Sequence, residues 1–138
     1  MKGYSEEVTF RTKVDEVADI TDRVAGVVAR SKFKNGLACV FCVGSTAAVT
    51  TMEFEDGLVS DIGEALERLA PRDAAYGHEA RWHDGNGHSH VRASLLGPSL
   101  TVPFADGRLR LGTWQQIVFL ELDVRGRDRR VVVQLLGE

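Results

Sequence analysis

The four histidines of this chain are grouped in one polar segment, at positions 78, 83, 88 and 90. If that segment is extended, the rings of His88 and His90 project from the same face and could share one ligand. Two imidazoles with a carboxylate are a common ligand set for a divalent metal. A polar loop whose histidines hydrogen-bond to backbone groups is the alternative. The segment therefore indicates metal or phosphoryl chemistry, with the polar loop still open.

A second group of residues suited to ligand binding begins at Gly44-Ser45-Thr46 and is followed by Glu53 and Asp56. The apolar run before it is typical of a buried strand. Small residues and hydroxyls at the end of such a strand can present backbone N–H groups and oxygens to an anion. An ordinary strand end has the same composition, so both interpretations stand at this point.

A third group is the run GTWQQ at residues 112–116. A tryptophan in a strand more often belongs to a core or an interface than to a ligand platform. Gln115 and Gln116 point to opposite sides of a strand, so at least one meets solvent, a neighbouring subunit or a ligand.

Two further motifs are predicted to be structural. Cys39 and Cys42 form a C-x-x-C motif inside the apolar run, where side chains three residues apart point to opposite faces. We therefore expect buried, inert thiols rather than a redox pair. The arginine-rich run at residues 125–130 is predicted to be the solvated tip of a hairpin, with a phosphate contact as the less favoured alternative.

The spacing of apolar residues predicts the elements that position these groups. Strands are expected at residues 4–13, 37–43, 46–53, 99–104, 108–122 and 130–136, and helices at residues 19–32 and 58–69. Residues 71–90 show no period and are predicted to form a polar loop, of a length that is often functional. Asp106-Gly107 signals a hairpin turn, and Gly112 is expected to form a bulge. The pattern predicts an α+β fold with a mostly antiparallel sheet, in one domain covering residues 1–138.

Composition excludes several classes of protein. The chain has 138 residues and a formal net charge of -3, which does not fit a nucleic-acid-binding protein. No apolar stretch reaches the roughly 18 residues that would cross a membrane. Residues 1–10 lack the apolar centre of a signal peptide, so we expect a cytoplasmic protein.

Three stretches of the chain resemble the YjbQ family. They are HVRASLLGPSLTVP at residues 90–103, GRLRLGTWQQ at residues 107–116 and the terminal Gly137-Glu138. The resemblance implies an α+β fold with strands packed as a sandwich, helices to one side, and assembly as a homotrimer. It also implies a pocket near subunit contacts in which histidines gather around a metal or an anion. The activity assigned to the family is that of a secondary thiamine-phosphate synthase, which joins a pyrimidine diphosphate to a thiazole phosphate and releases pyrophosphate.

The resemblance also assigns site residues. Catalytic roles fall on His78, His90 and Glu53. A divalent metal, Mg²⁺ or Zn²⁺, would be held by His78 and His90, with His88 as a further ligand. The phosphorylated substrate would meet Ser45, Thr46, Asn86, Arg92 and Gln115. Gly44 stands where the family pattern has another histidine. The alternative to the synthase function is a non-catalytic trimer that binds metal or phosphate.

Overall fold

The computed structural model describes all residues from Met1 to Glu138. Its strands are β1 (Lys2–Arg11), β2 (Val17–Asp19), β3 (Gly36–Cys42), β4 (Ala47–Met52), β5 (Ser99–Ala105), β6 (Arg108–Leu109), β7 (Gln116–Glu121) and β8 (Asp128–Gly137). Its helices are α1 (Thr21–Ser31), α2 (Asp56–Leu69), α3 (Gly77–Trp82) and α4 (Gly87–Leu96). No helix is both long and apolar enough to span a membrane.

The strands form two antiparallel sheets, which confirms the predicted α+β class. The larger sheet has the order β1-β8-β3-β5-β6, and the smaller has the order β2-β7-β4. The main core includes residues of both sheets and the apolar face of α1, from which Val24, Val27 and Val28 are buried. A second, smaller core joins the other face of the small sheet to α2 and α4.

The predicted polar loop at residues 71–90 is wrong, because this region contains α3 and the start of α4. Neither helix shows an apolar stripe. No residue of α3 is buried, whereas α4 buries polar side chains that include His88, Ser89 and Arg92. The chain therefore has four helices rather than the two that apolar spacing predicts.

The expected strand at residues 108–122 is two strands, β6 and β7, separated by an irregular segment rather than a bulge. Trp114 lies in that segment and is 74 % exposed, so it belongs to no core within this chain. The expected hairpin tip at residues 125–130 is also wrong, because β7 and β8 lie in different sheets. Its arginines are consequently not all solvated, and Arg129 is buried.

Candidate active site

The turn after β3 and the start of α4 enclose a polar cavity of about 340 Å³. Gly44 has φ +136°, a backbone conformation that favours glycine. On the helix side, Gly87 permits α4 to approach α3, because a Cβ there would lie 2.5 Å from a Tyr76 side-chain atom. The cavity is lined by Gly44, Ser45, Thr46, Asp84, Asn86, His90, Asp123, Arg127 and Arg129.

His78 and His90 meet at the edge of this cavity. Their ring centroids are 4.2 Å apart, with an angle of 36° between the ring planes. His78 Nδ1 lies 3.3 Å from Asp84 Oδ1 and 3.6 Å from Glu79 Oε1. The two histidines expected from the sequence are thus brought together, and two carboxylates join them.

The donor set of His78, Glu79 and Asp84 fits a divalent cation. One ligand atom from each residue lies within 4.8 Å of the others. Bonds of about 2.0–2.2 Å place adjacent ligand atoms of one ion roughly 3 Å apart, close to the two distances measured from His78. Glu79 Oε1 also accepts a hydrogen bond from the Gly87 N–H, which fixes this carboxylate at the start of α4. An imidazole with two carboxylates suits Zn²⁺ or a similar divalent ion.

His88 does not share a face with His90, because the segment is helical. Positions two apart on a helix are separated by about 200° around its axis. His88 is buried, and its ring faces Tyr76 at a centroid distance of 6.4 Å. Burial, with the nearby charges of Arg92 and Arg72, lowers the pKa of His88, so it is neutral at pH 7. The third proposed metal ligand therefore lies outside the cavity lining.

A buried ion pair forms the floor of the cavity. Arg129 Nε donates to Glu121 Oε1 at 2.7 Å, and Arg129 Nη2 donates to Glu121 Oε2. Arg129 Nη2 also donates to the carbonyl and hydroxyl oxygens of Thr46, at 3.1 and 3.0 Å. Burial by itself would lower the pKa of Arg129, but the hydrogen bond and charge of Glu121 raise it, so the guanidinium stays protonated.

Asp123 joins this ion pair to the rest of the cavity wall. Its side chain accepts from the Thr46 hydroxyl at 3.0 Å and from Arg127 Nε at 2.5 Å. The Asn86 amide donates to Asp123 Oδ1 at 3.3 Å, and in the opposite amide orientation it donates to Asp84 at 2.8 Å. Burial raises the pKa of Asp123, but these hydrogen bonds and one from the Val124 N–H outweigh it and hold the pKa below its ordinary value. The carboxylate is therefore charged at pH 7.

Gly44 leaves the guanidinium of Arg129 open to the cavity. A Cβ at position 44 would lie 3.2 Å from Arg129 Nη1. Nη1 has no hydrogen-bond partner in the protein, whereas Nε and Nη2 are both bound. The position at which the family resemblance expects an imidazole thus faces a guanidinium N–H.

Three of the expected substrate-binding residues line the cavity, namely Ser45, Thr46 and Asn86. Arg92 lies elsewhere, because its Nε donates to the Ala70 carbonyl at 3.0 Å and its Nη2 lies 3.3 Å from Glu67.

Glu53 and Gln115 lie at the opposite end of β4 from Ser45 and Thr46. Gln115 Nε2 donates to the Thr51 hydroxyl at 3.2 Å, and Glu53 follows the last residue of β4. At about 3.3 Å per residue, the strand separates Glu53 from the cavity by roughly 20 Å. One copy of the chain therefore does not bring these two residues to the histidines.

Several residues of the site were not identified from the sequence. They are Glu79, Asp84, Glu121 and Asp123. Arg127 and Arg129 belong to the arginine-rich run for which a phosphate contact is the less favoured alternative. Glu79 and Asp84 belong to the same polar segment as the histidines, so their spacing offered a signal. Glu121 and Asp123 offered none, because they lie at the end of an apolar strand and their partners are distant in sequence.

Comparison with known proteins gives the family of the chain. The family model described as "UPF0047 protein YjbQ-like" matches residues 6–138. A UPF0047 protein of Methanothermobacter thermautotrophicus is 46 % identical over 139 residues, covering 100 % of this chain and 95 % of the relative. The UPF0047 protein YjbQ of Salmonella typhimurium is 34 % identical, covering 87 % of this chain and 85 % of the relative.

Solved structures agree with this assignment. A YbjQ-like protein of unknown function from Sulfolobus solfataricus superposes with a TM-score of 0.94 at 36 % identity, covering 99 % of both chains. A hypothetical protein from Aeropyrum pernix superposes with a TM-score of 0.85 at 35 % identity, covering 96 % of this chain and 99 % of that one. The chain therefore belongs to the YjbQ/UPF0047 family.

Proposed function

We propose that the cavity between the Gly44 turn and α4 is a group-transfer site for a phosphorylated small molecule, acting with a divalent metal. The observation that supports this most is the meeting of His78, His90 and Asp84 beside the guanidinium of Arg129. Asp84, a proposed metal ligand, and Arg129, a proposed phosphate contact, thus line one cavity. The reaction we propose is the thiamine-phosphate synthase reaction that the family resemblance implies.

This reaction needs negative charge to be stabilised on a leaving group. The bond from the pyrimidine methylene carbon to the diphosphate oxygen breaks, and its electron pair leaves with pyrophosphate. The thiazole nitrogen supplies the lone pair for the new C–N bond. Cations and N–H donors that face the departing oxygen lower the barrier of such a step. A bound Mg²⁺ or Zn²⁺ would neutralise charge on the diphosphate.

The residues of the cavity divide these tasks. His78, Asp84 and Glu79 are the proposed metal ligands, and His90 contacts His78 at the edge of the cavity. Arg129 Nη1 faces the cavity and is proposed to contact phosphate oxygens. Ser45 is exposed there and offers a hydroxyl to the substrate.

The exposed face of the large sheet supports a proposed homotrimer. Leu37, Phe41 and Leu136 lie on this face and are 50 %, 41 % and 46 % exposed. Leu37 is directly opposite Leu136 in the register of β3 and β8, so they form one apolar patch. Assembly would cover this patch, and an adjacent copy is the proposed route by which Glu53 and Gln115 reach a site.

The trimer is tested by sedimentation. We expect a single species of three chains for the wild-type protein and dissociation in Leu37→Asp, because a buried unpaired charge opposes association. Leu69→Asp is the matched control, since Leu69 is exposed on α2 and lies outside this patch. A monomeric wild-type protein would contradict the assembly.

The metal and the activity are tested together. Elemental analysis of the purified protein is expected to show a bound divalent metal. The affinity of the protein for this metal is expected to fall at least ~10-fold in His78→Ala. Turnover of the pyrimidine diphosphate with the thiazole phosphate is expected to fall sharply in His78→Ala and His90→Ala. His83→Asn is the control, because His83 ends α3 with φ 58° and does not line the cavity. Wild-type turnover equal to the reaction without protein would eliminate the enzymatic proposal.

The second candidate is a non-catalytic module that binds metal or phosphate. Gly44 favours it, because a site with one imidazole fewer than the family pattern holds metal less tightly. A thermal shift with inorganic phosphate or a divalent metal, without turnover, would support it. Gly44→His is expected to raise metal occupancy, and Gly44→Ala is its control because both variants disturb φ +136° and crowd Arg129.

A further inference from the structure

A second cavity, of about 400 Å³, lies between α2 and the smaller sheet. Its walls are largely apolar. Val59, Ile62 and Leu66 of α2 face Val17 and Leu120 of the sheet across it. Val59 and Ile62 are only half-buried although they belong to the apolar stripe of α2, which shows that the stripe is not closed against the sheet.

Gly63 of α2 keeps part of this space empty. It lines the cavity, and a Cβ added there would meet no atom within 4 Å. A glycine inside a helix costs about 1 kcal/mol relative to alanine. The position therefore accepts a larger side chain without a clash, at the expense of the cavity.

Arg92 and Arg72 supply cationic groups to the wall of this cavity. The side chain of Arg92 is 6 % exposed, whereas that of its partner Glu67 is 47 % exposed and lies 3.3 Å away. Arg72 Nη2 pairs with Asp15, which is 57 % exposed. The wall also carries the carboxylates of Glu64 and Glu121, of which Glu121 is the most buried charge and is paired with Arg129. Arg92 is the buried cation of the wall, and its carboxylate partner is half in water and compensates it only in part.

Donors remain free on both guanidiniums. Arg92 uses Nε and Nη2, and Arg72 uses Nη2 and its backbone N–H. Arg92 Nη1 and the Nε and Nη1 of Arg72 have no acceptor in the protein.

We propose that this cavity binds a small organic carboxylate, with its apolar part against α2 and its carboxylate on Arg72 and Arg92. A planar guanidinium matches a carboxylate with two parallel hydrogen bonds. The volume lies in the range of small-molecule sites, which are mainly apolar with a few convergent polar groups. No residue lines both cavities, although Glu121 of this one is paired with Arg129 of the polar cavity.

The test is an NMR titration of the full chain with hexanoate. We expect saturable shifts at Gly63 and Leu120, and no saturation with hexylammonium or acetate, which lack the charge or the apolar part. Arg72→Gln is expected to weaken hexanoate binding at least 5-fold, because it removes a guanidinium that is exposed and has little role in folding. Arg68→Gln is the matched control, since Arg68 is in α2 but does not line the cavity.

Gly63→Leu is the decisive variant, because it fills the cavity and removes a helix glycine. It is expected to raise the melting temperature and to abolish hexanoate binding. Three results would each overturn the proposal: retained hexanoate binding in Gly63→Leu, equal binding of hexylammonium, or saturable shifts at Gly63 and Leu120 with inorganic phosphate but not with hexanoate. Metal content and synthase turnover report on the polar cavity and are measured independently. A failure of hexanoate to bind beside α2 would therefore not contradict the proposed function.

Discussion

Replacing Glu121 with glutamine tests the buried ion pair beneath the polar cavity, and we expect a large loss of stability. Glu121 is 2 % exposed and accepts from Arg129 Nε at 2.7 Å. It also accepts from the Thr12 hydroxyl at 2.6 Å and from the Asp123 N–H at 3.0 Å. All its partners are protein groups, so water does not replace them when the carboxylate is lost.

The size of the effect follows from this burial. Glutamine keeps the shape of the side chain but leaves Arg129 charged without its counter-charge. Removing one partner of a buried ion pair costs about 3–5 kcal/mol. The NH₂ group of the glutamine would also face an N–H donor that has lost its acceptor. Leaving one buried donor unpaired costs about 1–3 kcal/mol, which is included in the range above. Since domains are stable by only about 5–15 kcal/mol, this is a large fraction of the free energy of unfolding.

Urea denaturation followed by circular dichroism measures the loss. It is done at one protein concentration, because the stability of the proposed trimer would depend on concentration. Glu6→Gln is the control, since Glu6 forms an exposed ion pair with Arg30 at 2.9 Å and should change stability far less. The double variant Glu121→Leu with Arg129→Met is expected to be more stable than Glu121→Gln. A Glu121→Gln midpoint no lower than that of Glu6→Gln would refute the reasoning.

Three other predictions address acid stability, thiol reactivity and strand packing. The pKa of Asp123 in the folded protein lies below the unfolded value of about 3.9. Its contribution to the free energy of unfolding is therefore present above that pH and is lost as the pH falls through the folded pKa. In Asp123→Asn, the free energy of unfolding should depend less on pH below about pH 4. Burial raises the pKa of Cys42, so iodoacetamide should modify it only after unfolding, as mass spectrometry will show. Gly36→Ala should destabilise the protein by at least ~2 kcal/mol in urea, because its Cβ would lie 2.2 Å from a carbonyl oxygen of β8; Gly3→Ala, with 3.6 Å of clearance, should not.

The elements that are predictable from this sequence are those whose burial is periodic. Helix α1 has one apolar face and β3 alternates buried and open positions, so both follow from the spacing of their side chains. Both cysteines of the C-x-x-C motif lie on β3, and the prediction of burial is correct for Cys42 but wrong for Cys39, which is half-buried.

The spacing of apolar residues does not predict α4, because its burial is not periodic in apolar residues. This helix packs polar groups inward, because Arg92 is satisfied by the Ala70 carbonyl and Asn86 lies between two carboxylates. A burial pattern built from hydrogen bonds leaves no apolar period in the sequence. An extended backbone would place His88 and His90 on one face, whereas helix α4 separates them.

The exchange of imidazole for guanidinium at the cavity depends on strand pairing. Gly44 follows β3, and Arg129 lies on β8, which pairs with β3 so that Cys42 is opposite Val131. No local pattern encodes that pairing, so the sequence reveals the missing histidine but not the cation behind it. Arg129 Nη1 is consequently accessible because position 44 has no side chain. The family resemblance implies a histidine at position 44, whereas glycine there leaves an N–H donor of Arg129 open to the cavity. We therefore expect phosphate to stabilise this protein more than it stabilises Gly44→His.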